Sequence, residues 1–144
     1  MKRRPPTFSH RVRYDRVTVG QTPRCGKGLF AAAAMKAGQA VGRIRGEAKP
    51  PGYMSEYCMG YRDGAIEPDA PYRYINHSCD PNCELIEWEI DDGEGNKYYE
   101  LWLHTTKAVA AGGELTIDYA ANGAMKTESS AVCLCGSPKC RGFI

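Results

Sequence analysis

No stretch of the sequence approaches the roughly 20 consecutive apolar residues that a membrane-spanning helix needs, and the first residues lack the apolar core of a secretory signal. A soluble, intracellular protein with no membrane partner is therefore expected. Acidic residues are missing from positions 1–13, where Lys2, Arg3, Arg4, Arg11 and Arg13 stand unopposed. With a net charge of +2 for the whole chain, the remainder sums to −3. Such a basic arm suits a solvated terminus or contact with an acidic surface, while the mildly acidic body disfavours direct nucleic-acid binding. Long apolar-periodic helices are missing too. Instead, 16 Gly and 9 Pro interrupt the 144 residues at short intervals, which predicts one domain of many short strands joined by turns.

The pattern of residues places those strands. "YDRVTVG" (14–20) reads as a first strand, and "RCGKGLFAAAAMKAGQAVGRI" (24–44) as turn, short strand, turn, strand. The alanine run 31–34 is limited to one helical turn by its Gly and Lys-Ala-Gly flanks. "EYCMGY" (56–61) reads as a further strand. "LIEWEI" (85–90) alternates Ile86, Trp88 and Ile90 against Leu85, Glu87 and Glu89, and "YYELWL" (98–103) follows after "DDGEGNK", so the two predict a β-hairpin. Glu84, Glu87, Glu89, Asp91, Asp92 and Glu94 load this hairpin with acid, which would draw in a basic partner or keep the edge soluble. "LFAAAAMKAGQAV" (29–41) resembles "WLHTTKAVAAGGELTI" (102–117); the match is too short for a tandem repeat and reads as two similar turns. From 120 to 132 the chain is polar and patternless, like a linker.

Seven cysteines are an odd number, and without a secretion signal metal ligation is preferred to disulfides. Cys133, Cys135 and Cys140 follow C-x-C-x4-C in "CLCGSPKCRGFI", one thiolate short of a tetrahedral zinc site. The loop "NHSCDPNC" (76–83) offers Cys79 and Cys83 as the fourth ligand. A disulfide with free thiols is the alternative.

Four segments then occur in a telling order: "GKGLFA" (26–31), "RYINHSCDPNC" (73–83), "GELTIDY" (113–119) and "CLCGSPKCRGFI" (133–144). Over residues 14–144 the chain resembles the SET-domain protein lysine methyltransferases that carry a C-terminal post-SET zinc-binding segment. The resemblance implies a mainly β SET-domain fold of small curled sheets with a pseudoknot-like crossing, plus a zinc-bound post-SET tail. It divides the chain into a basic arm (1–13), a SET domain (14–120), a linker (121–132) and a post-SET segment (133–144). It also implies one structural zinc ion held by Cys79, Cys133, Cys135 and Cys140, with Cys83 a small buried residue. Cys25 and Cys58 read as packed thiols.

The cofactor implied is S-adenosylmethionine, a methyl donor. Gly26 and Gly28 allow the close backbone approach it needs, with Lys27 and Leu29 in the same loop. The family assigns Arg73, Tyr74, Asn76 and His77 to the cofactor wall, Asn76 on the amino-acid portion and His77 near adenine. Tyr57 would line the pocket and Phe143 would cover it. Tyr119 is the implied catalytic residue, its hydroxyl placed near the transferring methyl; Glu114 and Asp118 read as anchors of turn and strand. Methyl transfer is an in-line displacement that needs alignment and a neutral amine, and an apolar channel supplies the latter by disfavouring the ammonium. The expected activity is methylation of a lysine in a basic, histone-like tail, in the nucleus and on chromatin if the source is eukaryotic and in the cytoplasm if it is bacterial. A catalytically weak or inactive module that binds a basic tail, or a zinc-ordered interaction domain, is the alternative. Two positions depart from the family pattern: Ile44 and Ile117 stand where relatives carry hydroxyl or aromatic side chains, so a roomier channel that adds more than one methyl is expected.

Overall fold

A computed structural model of the chain describes residues 16–23, 26–119, 135 and 137–141. The expected basic arm, the linker, Cys25, Cys133 and Phe143 lie outside the described residues. Ten strands run in the order β1 (Val17–Gln21), β2 (Lys27–Ala31), β3 (Ala40–Ile44), β4 (Gly46–Lys49), β5 (Met59–Tyr61), β6 (Gly64–Pro68), β7 (Asn76–His77), β8 (Cys83–Asp91), β9 (Lys97–Thr105) and β10 (Glu114–Ile117). They form three small sheets, β1-β2-β10-β7, β3-β9-β8 and β4-β6-β5, and the described residues contain no α-helix. The protein is mainly β.

The predicted hairpin is present, with Cys83 opposite Thr105 at its base and Asp91 opposite Lys97 at its tip. Its turn closes because carboxylates take the main-chain donors: Gly93 N donates to Asp91 (2.8 Å) and Glu94 N to Asp92 (2.7 Å). Leu85, Leu101 and Leu103 share the face turned to the core. On the other face the buried Trp88 donates its indole N–H to Nε2 of the buried His104 at 3.3 Å.

The expected strand 56–61 is shorter. Ser55 Oγ accepts the N–H groups of Tyr57 (3.2 Å) and Cys58 (3.0 Å), so these two donors are satisfied locally and the ladder starts only at Met59.

The two similar segments turn out to pair with each other. Met35 and Val109 exchange main-chain hydrogen bonds at 2.8 and 2.9 Å. Around this bridge the bonds recur in equivalent pairs: Ala31 N donates to Gly113 O as Thr105 N does to Gln39 O, and Gly112 N to Ala31 O as Gly38 N does to Thr105 O. The equivalent turn residues Gly38 and Gly112 both have positive φ (75° and 80°). Thus β2-turn-β3 and β9-turn-β10 are related by an approximate two-fold axis through Met35 and Val109, with β2 pairing β10 and β3 pairing β9.

The core gathers where these units meet. Leu29, Val41, Leu103, Leu115 and Ile117 have no exposed surface, and each is worth about 1.5–3 kcal/mol of burial. Cys83 lies among them, and burial pushes its thiol up to about 12 from 9.0. The folded state therefore holds this proton more tightly than the unfolded chain does. The stability involved is fully present below pH 9 and is lost between pH 9 and 12, by up to about 1.4 kcal/mol per pH unit. Urea denaturation of wild type and Cys83→Ala from pH 8 to 10.5 should show the flatter curve for the variant; parallel curves would contradict a buried neutral thiol.

Candidate active site and thiol cluster

The site is built where β7 and β10 lie side by side in parallel, Asn76 opposite Thr116 and His77 opposite Ile117. Two paired residues are a short ladder, and neighbouring side chains extend it. Ser78 N donates to Ile117 O (2.9 Å), and after the Asp80-Pro81 turn Asn82 clasps β10 from both ends of its amide. Its Nδ2 donates to Glu114 O (2.8 Å), while Oδ1 accepts from Thr116 N (2.9 Å). The loop 78–82 thus wraps β10.

Asn76 reaches back to the glycine-rich strand. Its Nδ2 donates to Lys27 O and to Glu114 Oε2, both at 3.0 Å. A Cβ at Gly28 would lie 2.8 Å from that Glu114 oxygen, 2.6 Å from Thr22 Cγ2 and 3.2 Å from Asn76 Nδ2. The glycine is therefore required by the Asn76–Glu114 pair itself, a reason separate from the approach of a ligand. Gly26, at φ 71°, lies in an exposed turn with open space where a side chain would be. The Leu29 side chain is wholly in the core, so it has only its main chain to offer a cofactor.

A wall of cations and rings stands alongside. The Arg73 guanidinium lies 4.4 Å from the Tyr57 ring centroid and 5.6 Å from that of Tyr74, and Lys27 Nζ lies 5.2 Å from Tyr74. Tyr57 and Tyr74 meet edge to face at 6.3 Å. Cation–ring contact holds Arg73 in place although its buried Nε has no hydrogen-bond partner among the described residues. Tyr57, Met59, Arg73, Ile75 and Tyr119 line a narrow pocket, with Glu56 and Cys58 beside them. Tyr119 is 7% exposed and donates its hydroxyl proton to Ile75 O at 2.7 Å.

The buried His77 ring uses both nitrogens within the protein. Nδ1 accepts the Tyr119 N–H at 3.0 Å, so the ring proton sits on Nε2, which lies 3.3 Å from Cys79 Sγ. Asp118 Oδ1, 3.8 Å from Nδ1, consequently faces an acceptor and forms no ion pair there. Any contact of His77 with adenine falls to its main chain or ring face.

Cys79, Cys135 and Cys140 place their sulfurs within 4.8 Å of one another. Tetrahedral zinc at ~2.3 Å from each thiolate separates sulfurs by about 3.8 Å, so this donor set fits the ion after a small closure. Cys79 Sγ also receives the Arg141 N–H at 3.3 Å. Arg141 Nη2 donates to Asp118 Oδ1 at 2.9 Å, and this bond, with the Cys79 sulfur second, raises the guanidinium pKa still further. Cys83 is separate from the cluster and buried.

Asn82 and Arg141 are structural contributors that composition and spacing did not single out; each makes bonds to β10 or its end that no sequence period announces. Two of the hairpin acids are engaged by neighbouring side chains. Glu87 accepts from Arg62 N and Nη1, both at 3.2 Å, while Arg62 stacks on Tyr99 and Glu89 accepts from the Tyr99 hydroxyl at 2.9 Å. Glu87, Asp91, Asp92 and Glu94 nevertheless stay exposed on the hairpin. No helix among the described residues is long and apolar enough to cross a membrane.

The family model for the SET domain matches residues 26–120. Histone-lysine N-methyltransferase SETD2 of Mus musculus is 40% identical over 72 residues, which are 50% of this chain and 3% of that protein. The H3 lysine-9 specific histone-lysine N-methyltransferase dim-5 of Neurospora crassa is 39% identical over 84 residues, 51% of this chain and 25% of its own length. The chain thus spans a quarter or less of these relatives. Among solved structures, one reported under "Structural basis for the product specificity of histone lysine methyltransferases" superposes with a TM-score of 0.69 at 25% identity, covering 89% of this chain and 55% of its own.

Truncating Asn82 to Ala would strand Thr116 N and Glu114 O in a partly buried setting, at a cost of about 2–4 kcal/mol. Asn82→Asp should be at least as damaging, because a carboxylate would face the Glu114 carbonyl without a donor. Urea unfolding measures both, and a loss below about 0.5 kcal/mol in either would contradict the clasp.

Proposed function

Because the chain belongs to the SET-domain family, we propose that the crossing of β7 and β10 transfers a methyl group from S-adenosylmethionine to a lysine side chain in a basic, histone-like protein tail. The observation that carries this reading is the buried Tyr119 hydroxyl, fixed on the Ile75 carbonyl at the end of a narrow pocket walled by Tyr57 and Arg73. S-adenosylmethionine supplies an electrophilic methyl carbon on a cationic sulfur. The lysine nitrogen forms its C–N bond as the C–S bond breaks, and the product ammonium releases a proton to solvent.

The residues of the chain supply position and dryness. Tyr119, locked by Ile75 O and by its own N–H on His77, presents its hydroxyl oxygen in one place. Met59, Ile75, Ile44 and Ile117 belong to one apolar cluster beside it, an environment that disfavours the lysine ammonium. Asn76 and the Gly28 gap hold the cofactor side, with Lys27, Tyr57, Arg73 and Tyr74 as its wall and Phe143 as the expected cover. β5 is an edge strand of its sheet and carries Met59, so an extended peptide can pair beside the pocket mouth. Exposed Glu56, without an ion-pair partner among the described residues, brings an acid to the start of that edge beside the pocket. Zinc would be held by Cys79, Cys135 and Cys140, with Cys133 as the expected fourth ligand, and would tie the tail to the crossing. The match to histone methyltransferases supports a chromatin setting if the source is eukaryotic.

With labelled S-adenosylmethionine and histones, wild type should transfer label to lysine and Tyr119→Phe should lose at least about 100-fold in kcat, the scale of a misplaced reacting group. Absence of transfer by wild type to any basic protein would overturn the reading. Ile44 and Ile117 bring no hydroxyl into the apolar cluster, so mass spectrometry of a product peptide should show di- or trimethyl-lysine. Monomethyl product alone, under excess enzyme, would contradict this effect of the two isoleucines.

A further inference from the structure

The imidazole of His77 joins two parts of the molecule that are otherwise treated separately. On one side Nδ1 holds the N–H of Tyr119 at 3.0 Å; on the other Nε2 lies 3.3 Å from the sulfur of Cys79, a member of the thiol cluster. A main-chain N–H can only donate, so the first bond fixes the tautomer and directs the ring proton at the sulfur. The ring is buried and packs on Tyr119 at 5.3 Å between centroids, which leaves it little freedom to turn independently of either partner. A second line runs in parallel: Arg141 N donates to the same sulfur while its guanidinium holds Asp118, the residue before Tyr119.

Building on the methyltransferase reading, we infer that His77 is a positioning residue that transmits the occupancy of the thiol cluster to Tyr119. A cation held by Cys79, Cys135 and Cys140 fixes the sulfur as a thiolate acceptor, the thiolate orients the imidazole, and the imidazole fixes the N–H and ring of Tyr119. Metal then governs the placement of the tyrosine hydroxyl as well as the docking of the tail. Hydrogen bonds made to metal ligands by their neighbours commonly alter affinity by about 10–100-fold, so the coupling should also be felt at the cluster.

Two substitutions divide the imidazole into its halves. Asn at 77 can place an amide oxygen near the Nδ1 position but falls short of the sulfur; Gln can present an amide N–H to the sulfur but offers no acceptor near the backbone of residue 119. Zinc affinity is measured by competition with a chromophoric chelator, exchange of the Tyr119 amide by NMR, and methyl transfer by steady-state kinetics, all on the full chain. The expected result is a crossed pattern. His77→Asn should bind zinc about 10-fold more weakly than His77→Gln. Conversely, His77→Gln should exchange the Tyr119 amide about 10-fold faster and have the lower kcat of the two, at similar KM for the cofactor. In wild type, removing zinc with chelator should speed exchange at Tyr119 by a similar factor and leave Leu115 on β10 unchanged. Loss of all three properties in parallel in both variants, or no difference between them, overturns the relay. If wild type transfers no methyl group the functional reading fails, and zinc affinity with amide exchange still decides the relay.

Discussion

The parallel pairing of Asn76 and His77 with Thr116 and Ile117 is the contact on which the rest of the molecule depends. Two residue pairs contribute little by themselves against the entropy of bringing together segments about 40 positions apart. The surrounding chain compensates by making other bonds conditional on the same geometry. Asn82 reaches across to both Glu114 and Thr116, Ser78 to Ile117, and Asn76 to the Glu114 carboxylate. Each of these contacts closes only when β10 occupies its slot between β2 and β7.

Polar groups in this region are accommodated by pairing. Glu114 carries the amide of Asn76, His77 is satisfied on both edges of its ring, and Arg73 lies against the rings of Tyr57 and Tyr74. In a low-dielectric setting such pairs are favourable when complete and costly when broken, which makes the arrangement rigid. A displacement reaction needs that rigidity, since its rate depends on alignment more than on acid or base strength.

Much of the architecture was legible before any coordinates. The hairpin of β8 and β9 followed from alternation and an Asp- and Gly-rich turn, both local signals. The strand at 56–61 lost its first half because Ser55 satisfies two donors that a strand would have offered to a neighbour, a competition that composition does not reveal. The kinship of 29–41 with 102–117 was visible as likeness, but the two-fold relation resides in hydrogen bonds between the copies. Within the site, motif order points to Asn76, His77 and Tyr119, but not to the bonds of Asn76 with Glu114 or of His77 with Tyr119. The acidity of Glu87 and Glu89 is plain in the sequence, but their contacts with Arg62 and Tyr99, made across strands, are not. Asn82 and Arg141 each act through two partners far along the chain, and nothing periodic marks them.

The position of β10 also has a consequence for how the molecule comes into being. It is an interior strand of its sheet, flanked by β2 and β7, yet it follows both of them in the chain, β7 by more than 35 residues. A growing chain that has left the ribosome as far as residue 100 holds the glycine loop and the Asn-His segment as two unjoined edges. Reactive chemistry is withheld until β10 emerges, and then a single insertion assembles it.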